Sequence, residues 1–154
     1  MTTNRSLRRE FLGTLANTAR HLSYFVDRRA QHLGLTGAQI RVLSRLKRRE
    51  GATQVELASD MEMRPISLSG LIDKLDHQGL VERRADASDR RINRLHLTPA
   101  GRIMALEIDG FREEIAREVL CDAEAAALEA GLSVLQGLKR HLKKQQEETP
   151  LAAE

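Results

Sequence analysis

Leu7, Phe11, Leu15, Leu22, Val26 and Leu33 recur at spacings of four and seven, and Leu12, Ala19, Val26 and Leu33 form a second seven-residue series. The two series predict one long helix over 6–33 with a broad apolar face. Gly34 ends it. Thr36 with Gln39 three residues on forms a capping box and opens a helix through Ile40, Leu43 and Leu46, which Gly51 stops. Thr53 and Glu56 repeat that device before a short helix carrying Leu57, Ala58 and Met61. Pro65 suits the first turn of a further helix, where its missing N–H costs nothing. Leu68, Leu71, Ile72 and Leu75 then give one stripe, and Gly79 is the stop.

Beyond Gly79 the period changes. Segments 80–84 and 92–98 read as short strands, the second alternating Arg94, Leu95, His96 and Leu97. The polar stretch between them, with Asp86, Ser88 and Asp89, reads as a long charged hairpin loop. Thr98-Pro99 supplies an N-cap and a first-turn proline. Met104, Ile108, Phe111, Ile115 and Val119 carry the next helix to about residue 120. Asp122 is expected to cap a last helix with Leu128, Leu132, Leu135, Leu138 and Leu142. Residues 146–154 are expected to be a disordered tail.

The fold class is therefore mainly α (α+β): a winged helix-turn-helix with a two-stranded hairpin wing and a helical dimerisation region. One domain is expected over 1–154. Its DNA-binding lobe would span 34–100, and its dimerisation helices 6–33 and 101–145. Terminal helices with such stripes bury them more readily across a two-fold axis than within one subunit. An ordinary intramolecular bundle is the plainer alternative.

Composition sharpens the picture. Aromatic residues are 3% of the 154, so the core must rest on Leu, Ile, Val, Met and Ala, which suits helices. The net charge of +3 says little, but its distribution says more. Arg41, Arg45, Lys47, Arg48 and Arg49 cluster, as do Arg83, Arg84, Arg90, Arg91 and Arg94. The first cluster reads as a solvated helix face. The second, on a hairpin directly after a helix-turn-helix, is the footprint of a polyanion partner. Arg90 and Arg91 simply paired with Asp86 and Asp89 is the competing reading.

An α-helix fits the major groove, and its N-terminal residues meet base edges. On the helix over 65–78 that puts Arg64, Pro65, Ser67, Ser69 and Lys74 at DNA, with Thr53 and Gln54 at the start of the preceding helix. An arginine-tipped loop can enter the narrow minor groove, which assigns Arg90, Arg91 and Arg94. No glycine loop for phosphate and no nucleophile–base spacing is present, so an enzyme is not expected. Neither a cofactor nor a metal is expected either. Asp73 and His77 sit one turn apart, but two ligands do not make a metal site. The single cysteine, Cys121, rules out an intramolecular disulfide and points to a reducing compartment. It is expected to be a buried, inert thiol. With no secretory signal and no apolar run long enough to cross a membrane, the expectation is a cytoplasmic, nucleoid-associated protein with no membrane partner.

The runs Gly79-Leu80-Val81-Glu82-Arg83, Asp89-Arg90-Arg91 and Leu97-Thr98-Pro99-Ala100-Gly101 resemble the signature of the MarR family of bacterial regulators. Ala87-Ser88-Asp89-Arg90-Arg91 is most similar to the branch named SlyA. The resemblance implies a homodimeric regulator of transcription on a pseudo-palindromic duplex-DNA operator, read as a repressor with activation left open. It also implies an ion pair between Asp73 and Arg91 that orients the wing, and a small aromatic or phenolic acid as effector. His21, Tyr24 and Arg28 on the first helix are the effector candidates. Many relatives carry arginine where this chain has Gly70, so their operator sequences do not transfer. A metal- or redox-responsive regulator of the same fold, and a winged helix used for protein–protein contact, rank below this reading.

Overall fold

The computed structural model describes residues 4–89 and 91–148. Six α-helices and one hairpin follow in the order α1 (Asn4–Arg29), a 3-10 turn (Ala30–Leu33), α2 (Gly37–Arg48), α3 (Gln54–Asp60), α4 (Pro65–His77), β1 (Val81–Ala85), β2 (Asn93–Leu97), α5 (Pro99–Val119) and α6 (Ala125–Glu148). Contacts divide the chain into two units, Met1–Ile115 and Ala116–Glu154.

Both capping boxes form. The Thr36 hydroxyl accepts the N–H of Gln39 while the Gln39 side chain accepts that of Thr36, and Thr53 and Glu56 make the same exchange. Each box satisfies two N–H groups that a helix start leaves unpaired. Gly79 adopts φ +70°, the left-handed conformation that ends α4. The turn between α3 and α4 bends through Glu62 at φ 52°, a conformation that non-glycine residues rarely take.

Leu68, Ile72 and Leu75 of α4 are fully buried among Leu43, Leu46, Leu57, Val81, Leu95 and Leu97. Removing each of those side chains from water stabilises the lobe by about 2 kcal/mol. The hairpin is antiparallel with Arg83 opposite Leu95 and Arg84 opposite Arg94. Segment 51–53 lies along the outer edge of β2: Gly51 N–H donates to Leu95 O, and Leu95 N–H to Ala52 O. The wing root is thus tied to the start of α3.

Three expectations need correction. Asp122 does not cap the last helix. It lies in the turn after α5, and α6 starts at Ala125, with Glu124 O accepting the N–H of Leu128. Helix α6 runs on through Glu148, so residues 146–148 are helical, and 149–154 lie outside the described residues. Cys121 is exposed rather than buried, because it sits in that same turn and not on a packed helix face.

Candidate nucleic-acid interface

Burying one stripe of α4 leaves the opposite face to solvent. Arg64, Pro65, Ile66, Ser67, Gly70, Asp73 and Lys74 are all exposed, and Ser69 is half-buried. Arg64 holds the N-cap position in an extended conformation without a side-chain cap bond, so its guanidinium is not spent on the helix. The positive end of the α4 dipole, Arg64 and the small hydroxyl of Ser67 together form a surface that an anion can approach closely. Gln54 sits at the first position of α3, half-buried. Thr53 is committed to structure, because its hydroxyl and its N–H are both used in the capping box.

The wing is built on Asp86. This carboxylate is 8% exposed; its Oδ1 accepts the backbone N–H groups of Ser88 (2.7 Å) and Asp89 (3.1 Å) and the Ser88 hydroxyl, and its Oδ2 meets Arg94. The Ser88 hydroxyl, then Arg94, hold its carboxyl well below the ordinary carboxylate range. Arg94 spends its other arm on the Gly51 carbonyl at 2.8 Å. Arg94 thus clamps the wing to the loop before α3.

The expected pair between Asp73 and Arg91 does not form. Arg83 on β1 reaches back to α4, with one terminal nitrogen on Asp73 and the other 2.7 Å from Asp76. Strand β1 follows α4 after only three residues, so Arg83 is the basic side chain that short connection brings beside those acids. Arg91 instead pairs with Asp89, two residues away, at 3.1 Å. Its side chain is 91% exposed. A surface pair of that kind contributes at most about 1 kcal/mol and yields readily to a phosphate. Arg90 lies outside the described residues.

An arginine-bearing loop and the open face of a helix-turn-helix thus belong to one rigidly braced lobe. The sequence profile of the MarR family matches residues 35–92, which are this lobe. The structure of the transcriptional regulator PA3341 is 34% identical, covers 87% of this chain and 98% of its own, and superposes with a TM-score of 0.77. The chain belongs to the MarR family. The HTH-type transcriptional regulator YsmB of Bacillus subtilis (strain 168), itself uncharacterized, is 28% identical over 134 residues, 82% of this chain and 92% of YsmB. A structure of SlyA superposes with a TM-score of 0.81, covering 89% of this chain and 96% of its own, at 21% identity; that likeness speaks for the fold alone. The protein is accordingly a DNA-binding transcriptional regulator of the MarR family, a family of regulators and not of enzymes.

On α1, His21, Tyr24 and Arg28 share one open groove of about 680 Å³ with Phe25, Arg29 and Gln31. A second, smaller cavity of about 320 Å³ lies between α1, α2 and α5, where Leu22, Val26, Ile40 and Phe111 meet Arg41 and Arg112. Asp27 beside it accepts the N–H of Gly37 at 2.8 Å, fastening α1 to the start of α2. None of the described helices is long and apolar enough to cross a membrane.

Proposed function

We propose that this MarR-family chain acts as a homodimer on a pseudo-palindromic duplex operator, with α4 of each copy in a major groove and each wing at the adjoining minor groove. The observation that carries the reading is the open face of α4: Arg64, Ser67 and Lys74 turned to solvent over a fully buried Leu68–Ile72–Leu75 stripe. Arg90 and Arg91 supply the wing contact, and Arg94 positions it. Gln54 and Ser69 flank the base-reading residues. Residues 34–100 form the DNA-binding lobe, and 6–33 with 101–145 the dimerisation region.

Two features support the dimer. Helix α1 spans 26 residues and buries none of them, leaving Leu7, Phe11 and Leu12 exposed. Helix α6 likewise leaves Leu132, Leu135 and Leu142 exposed. Apolar stripes of that length on two separate helices call for a partner, and a second copy offers the same stripes by symmetry. A dimer covering two successive half-sites excludes polymerase, so the reading is a repressor working at the nucleoid in the cytoplasm. An aromatic acid in the α1 groove, its carboxylate toward Arg28 and its ring toward Tyr24, would shift the dimer between states with different spacings of α4. The wing run 87–91 is the support for placing the chain near SlyA within the family.

Binding of the protein to the duplex upstream of its own gene, titrated with salt, tests this. Affinity should fall by about 10³-fold or more between 50 and 200 mM salt, the behaviour of a protein displacing several counterions. Affinity independent of salt would exclude the phosphate-tracking interface.

A further inference from the structure

The α4 face holds one side chain that phosphate chemistry does not explain. Ile66, in the first turn, is 79% exposed, the highest exposure among the large apolar residues described. A lone exposed isoleucine elsewhere on a surface is unremarkable in physical terms, since much protein surface is apolar. Here it stands between Arg64 and Ser67, on the part of a recognition helix that meets base edges. Its neighbour one turn on is Gly70, and a Cβ placed on Gly70 would meet nothing within 4 Å.

That neighbour matters because helical side chains lean toward the N-terminus and cover the preceding turn. A side chain at 70 would lie over Ile66. Glycine leaves the isoleucine bare on the groove-facing side and leaves room for a base pair to come close. The helix accepts a poor helix former at this position, although open space would admit alanine. Polar edges in the major groove gain nothing from a branched hydrocarbon and lose hydration against it. The apolar group the groove does offer is the 5-methyl of a pyrimidine.

We propose that Ile66, left bare by Gly70, reads a pyrimidine 5-methyl group, so that the operator places thymine opposite the first turn of α4. The inference rests on the reading that α4 enters the major groove, and it adds the base class read there. The same methyl on 5-methylcytosine would fit the same patch.

The test starts from the tightest duplex that the full-length protein selects out of a randomised pool. Each thymine is replaced in turn by uracil, which removes the methyl and keeps every hydrogen-bonding edge. One thymine per half-site should respond, with Kd rising about fourfold for each methyl lost. Ile66→Ala should bind the thymine and uracil duplexes equally at that position while keeping the salt dependence of the wild type. Gly70→Gln should blunt the same discrimination by covering Ile66. In a second arm each cytosine is methylated at C5; tighter binding by wild type alone identifies 5-methylcytosine as the source and upholds the methyl contact. The inference is overturned if no thymine or cytosine position responds to its methyl, or if Ile66→Ala still discriminates. A wild type that enriches no duplex at all overturns the groove reading itself, a different failure.

Discussion

Replacing Arg90 and Arg91 together by alanine should weaken duplex binding about 100-fold near 0.15 M salt and flatten the salt dependence by nearly two units of slope. The loss is large because the proposed wing contact lies where the DNA potential is most negative, so each guanidinium would displace a condensed counterion. Arg91 is available for that role: its side chain is almost wholly exposed and pairs only at the surface, with Asp89. Arg90 joins it by sequence, as the neighbouring residue of the loop. Arg91 gives nothing to the core, so the variant should unfold at the same denaturant concentration as the wild type. Fluorescence anisotropy at four or five salt concentrations, with urea unfolding as the control, reads both effects. An unchanged slope would remove the wing from the mechanism.

Gly101→Ala should cost about 3 kcal/mol of stability, toward the upper end for an overpacked site. The reason is local and steric. A Cβ on Gly101 would fall 1.9 Å from the Leu80 carbonyl oxygen and 2.9 Å from its carbon. Neither atom can swing aside as a side chain would. The Leu80 carbonyl accepts the N–H of Thr98, and the Leu80 N–H is bound to Leu75 O, so the backbone on both sides of that residue is held in place. Alanine's better helix propensity returns up to about 1 kcal/mol, not enough to change the sign. In a chain of this size a net loss of about 2–3 kcal/mol lowers the melting temperature by roughly 5–12 °C. Gly70→Ala is the control, because open space surrounds that position; it should raise stability by roughly 0.5–1 kcal/mol. Equal stability of Gly101→Ala and wild type would mean that α5 does not approach the Leu80 backbone so closely.

The contact also explains a feature of the sequence. Gly79-Leu80-Val81 and Thr98-Pro99-Ala100-Gly101 are distant in the chain, yet the Thr98 hydroxyl donates to Gly79 O and the Gly101 N–H donates to Thr98 Oγ1. The two runs meet, and glycine at 101 is what allows it.

Features that depend on neighbours in sequence were legible without coordinates. Both capping boxes, Pro65 at the head of α4, the left-handed Gly79 and the alternating strand at Arg94–Leu97 are of this kind. What sequence left undetermined was the choice of partner among several like residues. Arg83, Arg91 and Arg94 could each have taken Asp73, Asp76, Asp86 or Asp89. Hairpin register and the short α4–β1 connection decide it, and both are products of the fold. One local signal was present: Asp86 followed two residues on by Ser88 is the pattern of a carboxylate gathering the backbone N–H groups of its own turn. Ile66 escaped because a search for polar contacts to DNA passes over an apolar residue. The stripe on α1 was visible, whereas nothing in the sequence shows that no residue of that helix is fully buried within one chain.

On the proposed function, α4 and the wing address adjacent grooves of one half-site. Cleavage from tethered iron tests it directly, with Ser67→Cys on α4 and Ala87→Cys in the wing, each in a Cys121→Ser background and each bound to the selected duplex. Two cleavage clusters should appear within the same half-site, about five base pairs (half a helical turn) apart, repeated symmetrically in the second half-site. Cleavage from the wing position alone, or clusters from the two positions scattered without a common half-site, would contradict it.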